Sequence, residues 1–214
     1  MTPGTAVVIA NGRFRRSAAL RALVAKADLV ICADGGLAHA RALGRPPQIV
    51  VGDFDSAPPA LIAWARRHRA KLLKYPADKN KSDTELALDA AAERGAREID
   101  FIAVTGGRPD HFLANLLLLV AARRKGLVAR IHDGLSLLFL VDDGPPLPAV
   151  RGDTLSLLAL SETVEGVTTV GLAYPLKDGT LALGSSLGIS NVVVSVPASV
   201  SVGKGLLLAV LVRG

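Results

Sequence analysis

Asp34, Asp53, Asp55, Asp78, Asp83 and Asp110 each stand just past a short apolar or β-rich run, in loops that also hold glycines and basic residues. Carboxylates gathered in one place repel one another, and a cation is the natural resolution. Oxygen donors with little His or Cys indicate Mg²⁺ rather than zinc. An isolated loop Asp is ordinarily a turn residue or helix cap. Asp53 and Asp55 together, on one loop among other acids, ask for more than that. Arg13, Lys79, Lys81 and Arg108 fall in the same set of loops. Cations that hold phosphate oxygens, beside acids that hold a metal, suit a metal–polyphosphate ligand. Gly35–Gly36 and Gly106–Gly107 stand between a strand-like and a helix-like run. Such a turn brings backbone amides and a helix dipole to a phosphate, although a tight strand-to-helix turn alone also selects glycine.

For these loops to meet, the intervening elements must alternate. Candidate strands are Ala6–Ala10, Leu29–Ala33, Gln48–Val51, Lys71–Lys74, Ile99–Val104 and Ala129–His132. Between them lie Ala18–Lys26, Gly36–Leu43, Pro59–Arg69, Thr84–Arg94 and His111–Lys125, rich in good helix formers. Ser82 with Glu85 three residues on reads as a capping box, and Gly95 as the stop. This alternation predicts a mostly parallel, doubly wound sheet with helices on both faces. Ligands in such folds bind beyond the carboxyl ends of the strands, where these polar clusters lie. The opposite-edge loops, at residues 26–28, 44–47 and 95–98, have no clustered carboxylates and no repeated glycines. After Gly134 helical periodicity fades, and Gly, Pro, Ser, Thr and Val take over. Val192, Val194 and Val196 alternate with Val193 and Ser195, and Leu206–Val212 reads as a buried strand. The expected architecture is therefore an α/β domain at 1–132 and a small antiparallel β-sandwich domain at 133–214.

Charge follows the same division. The 214-residue chain carries a net charge of +6 and is 50% apolar, too hydrophobic for a disordered protein. Residues 1–132 hold 21 basic and 12 acidic side chains, and residues 133–214 hold four and seven. A basic balance by itself admits nucleic acid, an anionic membrane or a phosphate-rich ligand. The basic runs at 66–69 and 123–125 fall at predicted helix ends, where cations complement the dipole, and no aromatic platform accompanies them. His39 and His68 read as helix-surface residues and Trp64 as core. His111 stands where it would touch ligand or cap the following helix. No apolar run approaches the roughly 20 residues of a membrane span. The single Cys32 excludes an intrachain disulfide and a zinc ribbon, which suits a reduced cytoplasmic protein. A P-loop, a dinucleotide fingerprint, a nucleophile elbow and a zincin helix are all missing.

The motifs Ala33–Asp34–Gly35–Gly36, Gly52–Asp53–Phe54–Asp55–Ser56, Asp78 with Ser82–Asp83–Thr84–Glu85–Leu86–Ala87–Leu88, and Gly106–Gly107–Arg108–Pro109–Asp110–His111 with Asn115–Leu116 resemble thiamine pyrophosphokinase. Thr168–Leu176 and Gly188–Ile189–Ser190–Asn191 resemble that family's thiamine-binding β-domain. The resemblance spans nearly the whole chain. It implies transfer of a diphosphate from Mg·ATP to the hydroxyl of thiamine, giving thiamine diphosphate and AMP. It implies Asp53, Asp55 and Asp83 as metal ligands, with Asp34 organising metal and phosphates. Asp34, Gly35, Lys79, Ser82, Gly107 and Arg108 would bind ATP, and Asp110, Ser190 and Asn191 would bind thiamine. It also implies a homodimer whose sites form between subunits, with no nucleic acid or membrane partner. The fourth-loop motif departs from the family's usual D-K-D-x-T-D. Asn80 removes a charge there, so Asp83 carries more weight as a ligand.

In this reading catalysis comes from alignment and charge neutralisation. Arg108 would stabilise phosphate charge, and Asp55 and Asp110 are the alternatives for accepting the alcohol proton. A pyrophosphokinase for another primary alcohol, such as a hydroxymethylpterin, would share the phosphate machinery. A basic nucleic-acid-binding protein would show salt-dependent oligonucleotide binding. A dimer that has lost catalysis is the third alternative.

Overall fold

The computed structural model describes residues 4–55, 57–106, 108–142 and 146–214. The chain divides into two compact units, Met1–Gly134 and Leu135–Gly214. In the first, strands and helices alternate: β1 (Thr5–Ile9), α1 (Ala18–Lys26), β2 (Leu29–Ala33), α2 (Leu37–Leu43), β3 (Ile49–Gly52), α3 (Pro59–Arg67), β4 (Lys71–Lys74), α4 (Asp83–Glu93), β5 (Glu98–Ile102), α5 (Pro109–Arg124) and β6 (Val128–Asp133). The strands pair in parallel in the order β6-β5-β1-β2-β3-β4. The chain winds outward from β1 to β4, then returns along α4 to lay β5 on the other side of β1. The β1/β5 junction is therefore the topological switch point, where open α/β sheets place their ligands.

β1, β2 and β3 are buried almost throughout, as expected for strands covered on both faces. Val7, Ile9, Val30, Cys32 and Val50 face a cluster shared with Leu20 and Val24 of α1, Leu37 and Ala40 of α2, and Leu61 and Ala65 of α3. α4 packs against β1, β2 and β3, and α5 against β6. Burial pushes the Cys32 thiol far up, so it stays protonated. Trp64 packs partly buried against the same cluster.

Element ends follow local chemistry. Ser82 caps α4, its Oγ accepting from the Glu85 amide at 3.2 Å. Gly95 follows in the left-handed conformation. Pro109 at the first helical turn starts α5 two residues before the expected His111. Ala103, at φ 55°, ends β5 at Ile102 rather than Val104. The predicted Gly36–Leu43 helix is α2 preceded by a 3₁₀ turn over Asp34–Gly36.

The second unit is a sandwich of two antiparallel sheets. Its strands are β7 (Ser136–Leu140), β8 (Thr154–Ala159), β9 (Thr163–Val170), β10 (Gly179–Ala182), β11 (Asn191–Val192), β12 (Ser199–Ser201) and β13 (Leu207–Val212). One sheet runs β11-β8-β13-β7 and the other β10-β9-β12. Leu155, Leu157, Val164, Val167, Leu181, Leu207, Ala209 and Leu211 fill the space between them. In the valine run Val193 is the inward residue, and Val192, Val194 and Val196 face out. Asp153 fastens this unit's C-terminus: it accepts from the amides of Val150 (2.9 Å) and Gly214 (3.3 Å) and from Arg213 (2.6 Å).

Candidate active site

The site begins where β1 and β5 end. The ladder continues past both strands: the amide of Gly12 donates to the Ala103 carbonyl and that of Arg13 to the Thr105 carbonyl, each at 2.6 Å. A side chain on Gly12 would collide with the Thr105 carbonyl, so only glycine lets the two loops touch. Beyond them opens a cleft of about 670 Å³. Its walls include Asn11, Asp34, Ser82, Asp83, Arg108 and Asp110. Asn115 of α5 is buried and donates to the Val104 carbonyl at 2.8 Å, and Thr105 donates to Asp133 at 2.9 Å. Both bonds hold the β5 loop against its neighbours.

The carboxylates gather at the ends of β2 and β3. One oxygen from each of Asp34, Asp53 and Asp55 lies within 4.8 Å of the other two. Gly52 makes this possible. A Cβ there would stand 3.1 Å from the Asp34 Cβ, and at a φ of 152° any other residue would be strained. Asp34 and Phe54 hold left-handed backbones, at φ 42° and 67°. Each costs about 1 kcal/mol or more, and both lie just past the carboxyl ends of strands, β2 and β3. The Asp55 amide donates to Asp53 Oδ1 at 3.1 Å. That bond, with Lys79 nearby, holds the Asp53 carboxyl below its usual range.

Asp83 stands at the start of α4. Lys79 Nζ lies 3.0 Å from Asp83 Oδ1 and 3.9 Å from Asp53 Oδ2, and donates to the Pro76 carbonyl at 3.3 Å. Burial raises the Asp83 carboxyl pKa, Lys79 opposes the rise, and Asp34 and Asp53 add to it. Of the expected metal ligands, Asp53 and Asp55 thus sit together with Asp34, and Asp83 is engaged by Lys79. Lys81 faces away from the cleft, pairing with Asp89 at 2.6 Å and Glu85 at 3.6 Å. Arg108 and Asp110 form a two-bond pair at the start of α5, 3.2 and 2.5 Å, both exposed. Arg108 is raised and Asp110 lowered by their mutual bond. His111 and Phe112 line the cleft beside them.

Gly35 lies buried under the Asn11 side chain, and Gly36 under the Ile9 carbonyl. A Cβ on either would clash, so this pair packs the β1 and β2 loops together. Gly107 and Ser56 lie outside the described residues. Like Lys81, His39 departs from the expectation. His39 is not a free helix-surface group: its Nε2 is 3.2 Å from the Gly12 carbonyl and its ring is 4.7 Å from Phe14. Burial lowers its pKa, so the neutral ring supports the β1 loop at pH 7.

The same regions match known proteins. Residues 20–131 match the family described as "Thiamin pyrophosphokinase, catalytic domain", and residues 146–207 match "Thiamin pyrophosphokinase, vitamin B1 binding domain". The thiamine pyrophosphokinase of Bacillus subtilis is 31% identical over 168 residues, covering 77% of this chain and 78% of its own. The chain belongs to the thiamin pyrophosphokinase family. The Bacillus subtilis thiamine pyrophosphokinase crystal structure superimposes with a TM-score of 0.85 at 28% identity, over 98% of this chain and 99% of the other. The Candida albicans thiamin pyrophosphokinase shares the fold at 16% identity, with a TM-score of 0.82 over 98% and 89% of the two chains.

In this family member the B1-binding match contains Ser190 and Asn191. Ser190 has a left-handed backbone, φ 56°, and its amide donates to Ser156 Oγ at 3.0 Å. The Asn191 amide group clamps the Tyr174 backbone. Its Oδ1 accepts from the Tyr174 amide at 3.0 Å, and its Nδ2 donates to the Tyr174 carbonyl at 2.7 Å. Asn191 therefore orients the exposed Tyr174, which falls in the Thr168–Leu176 motif of the resemblance.

Proposed function

We propose that the chain transfers the diphosphate of Mg·ATP to the hydroxyl of thiamine, releasing AMP. Family membership supports the reaction class. The observation that carries the residue-level reading is the Asp34–Asp53–Asp55 cluster, three carboxylates within 4.8 Å at the edge of the switch-point cleft. The grouped donors are all carboxylate oxygens, without imidazole or thiolate, and this set fits a hard divalent cation. Asp34, Asp53 and Asp55 would hold Mg²⁺, with Asp83 close by. A divalent cation held there would neutralise phosphate charge.

The protein's own groups do the rest. Arg108 is exposed at the mouth of the cleft and is free to exchange Asp110 for a phosphate oxygen. Ser82 uses its lone pairs on α4 and keeps its hydroxyl proton for the ligand. The thiamine hydroxyl oxygen bonds to the β-phosphorus as the bond from that phosphorus to the α,β-bridging oxygen breaks. The leaving oxygen departs on AMP, and the hydroxyl proton passes to a nearby carboxylate, Asp55 or Asp110. Asp110, and in the β-sandwich Ser190 and Asn191, are the residues assigned to thiamine.

The proposal includes a homodimer acting in the cytoplasm. Leu113 and Leu117, one turn apart on α5, are 59% and 55% exposed, and Leu187 and Ile189 are exposed on the sandwich. A second copy would cover such apolar surface. Among the described residues no helix is long and apolar enough to cross a membrane.

The deciding assay measures AMP release from Mg·ATP with thiamine. Asp53→Ala and Asp55→Ala should each lose about a hundredfold or more in kcat. Activity within about twofold of the parent in either variant removes that residue from the site. ADP in place of AMP, or no turnover on thiamine within a panel of primary alcohols, overturns the reaction assigned.

A further inference from the structure

The acidic site already contains a cation of its own. Lys79 Nζ is 3.0 Å from Asp83 and 3.9 Å from Asp53, and its side chain is only 13% exposed. Asp53 belongs both to this ion pair and to the carboxylate trio. Asp83, by contrast, is within the ammonium's reach and burial disfavours its charge. The side chain is long and unbranched, and its ammonium makes three such contacts: two carboxylates and the Pro76 carbonyl. A lysine head is a compact point charge on a flexible stem, able to change partners by rotation alone.

We propose that Lys79 is a resident counter-ion that keeps bare divalent metal out and admits it with the nucleotide. The inference rests on the reading of the site as one for Mg·ATP. A dication bound to Asp53 without phosphate would face an ammonium that shares the same carboxylate. Two positive groups a few ångströms apart, partly shielded from water, repel strongly. Phosphate oxygens remove that conflict, because they give the ammonium a new anionic partner while the metal takes the carboxylates. Lys79 then passes from Asp83 and Asp53 to the phosphate chain. Metal and nucleotide consequently bind with positive coupling, each strengthening the other by the same factor.

The test uses Mn²⁺ as the probe, read by its electron paramagnetic resonance signal, and a non-hydrolysable methylene analogue of ATP. Lys79→Gln should bind Mn²⁺ alone about tenfold more tightly than the parent. It should bind the analogue in EDTA more weakly, and the coupling between the two ligands should shrink. Lys79→Arg, which keeps the charge, should retain weak Mn²⁺ binding, and it controls for folding of the loop. Equal Mn²⁺ affinity in the parent and in Lys79→Gln overturns the counter-ion role. If the parent forms a Mn²⁺–analogue complex in that case, the reading of the site stands and only this inference fails. If the parent forms no such complex, both fall.

Discussion

Asp89 Oδ2 lies 2.6 Å from Lys81 Nζ, and Asp89 Oδ1 lies 2.8 Å from Lys125 Nζ. One carboxylate on α4 thus ties the loop that precedes its own helix to the end of α5. Burial raises the Asp89 carboxyl, but the two lysines outweigh it and hold the net value down. The loop so fastened carries Lys79 and Ser82. Asp89→Asn should leave kcat near the parent and raise the KM for Mg·ATP about fivefold, because the loop loses its tether. The pairs are partly exposed, so the stability loss should be only about 1 kcal/mol in a urea titration. A fall in kcat with unchanged KM would count against the tether.

Gly52→Ala tests the approach of β3 to Asp34. The new Cβ would stand 3.1 Å from the Asp34 Cβ on a backbone at φ 152°. The variant should lose about 1–3 kcal/mol of stability, and its Asp34 carboxylate should be pushed away from Asp53 and Asp55. Mn²⁺ binding in the presence of nucleotide should weaken together with the melting temperature. A variant that melts lower but binds Mn²⁺ as the parent does would show that the glycine serves folding alone.

Asp83 and Asp53 should respond to pH with opposite sign. The Asp83 carboxyl is raised in the folded state, so its contribution is present at acid pH and is lost as pH rises through the raised value. Asp83→Asn should therefore melt higher than the parent at pH 7 in EDTA, and the gain should vanish near pH 3. The Asp53 carboxyl is lowered, so its contribution is present above the ordinary carboxylate range and is lost as pH falls. Asp53→Asn should melt lower than the parent at pH 7 and converge with it in acid. Thermal melts of the metal-free proteins from pH 3 to 8 give both signs in one series.

The second unit offers a structural comparison. Asp153 is 1% exposed, and burial, which would raise its carboxyl, is overcome by the Val150 and Gly214 amides and Arg213. Asp153→Ala should destabilise by about 2 kcal/mol. The difference from the parent should shrink as pH falls, because a lowered carboxyl loses its contribution on protonation. Urea titrations at pH 7 and pH 4 measure it.

Several signals with a local cause were legible, although Pro109, itself a local start signal, begins α5 two residues before the expected His111. The Ser82 cap, the left-handed Gly95 and the order of strands and helices depend on neighbouring residues, and motif spacing led to the family. What spacing could not show was direction. Lys79 and Lys81 are two residues apart with the same charge, yet one enters the carboxylate site and the other turns to Asp89. Only the path of the loop separates them. His39 read as surface because its partner, the Gly12 carbonyl, is 27 residues away in sequence. Gly35 and Gly36 suited both phosphate approach and tight packing, and it took the positions of Asn11 and Ile9 to show the packing role. The order of strand ends places Asp34 near Asp53 and Asp55, but that the missing side chain of Gly52 admits it there is a contact no periodicity encodes.

The pairing of β1 with β5 has a consequence for synthesis. Thr5 pairs with Glu98 and Ile9 with Ile102 across the centre of the sheet. A nascent chain that ends before Glu98 already holds Asp34, Asp53, Asp55, Lys79 and Asp83, yet the cleft wall that includes Ala103, Thr105, Arg108, Asp110 and Asn115 is still missing. Until β5 leaves the ribosome and threads beside β1, the exposed edge of the first strand is open to mispairing. The cleft thus cannot template the first half of folding; it exists only once that half is complete.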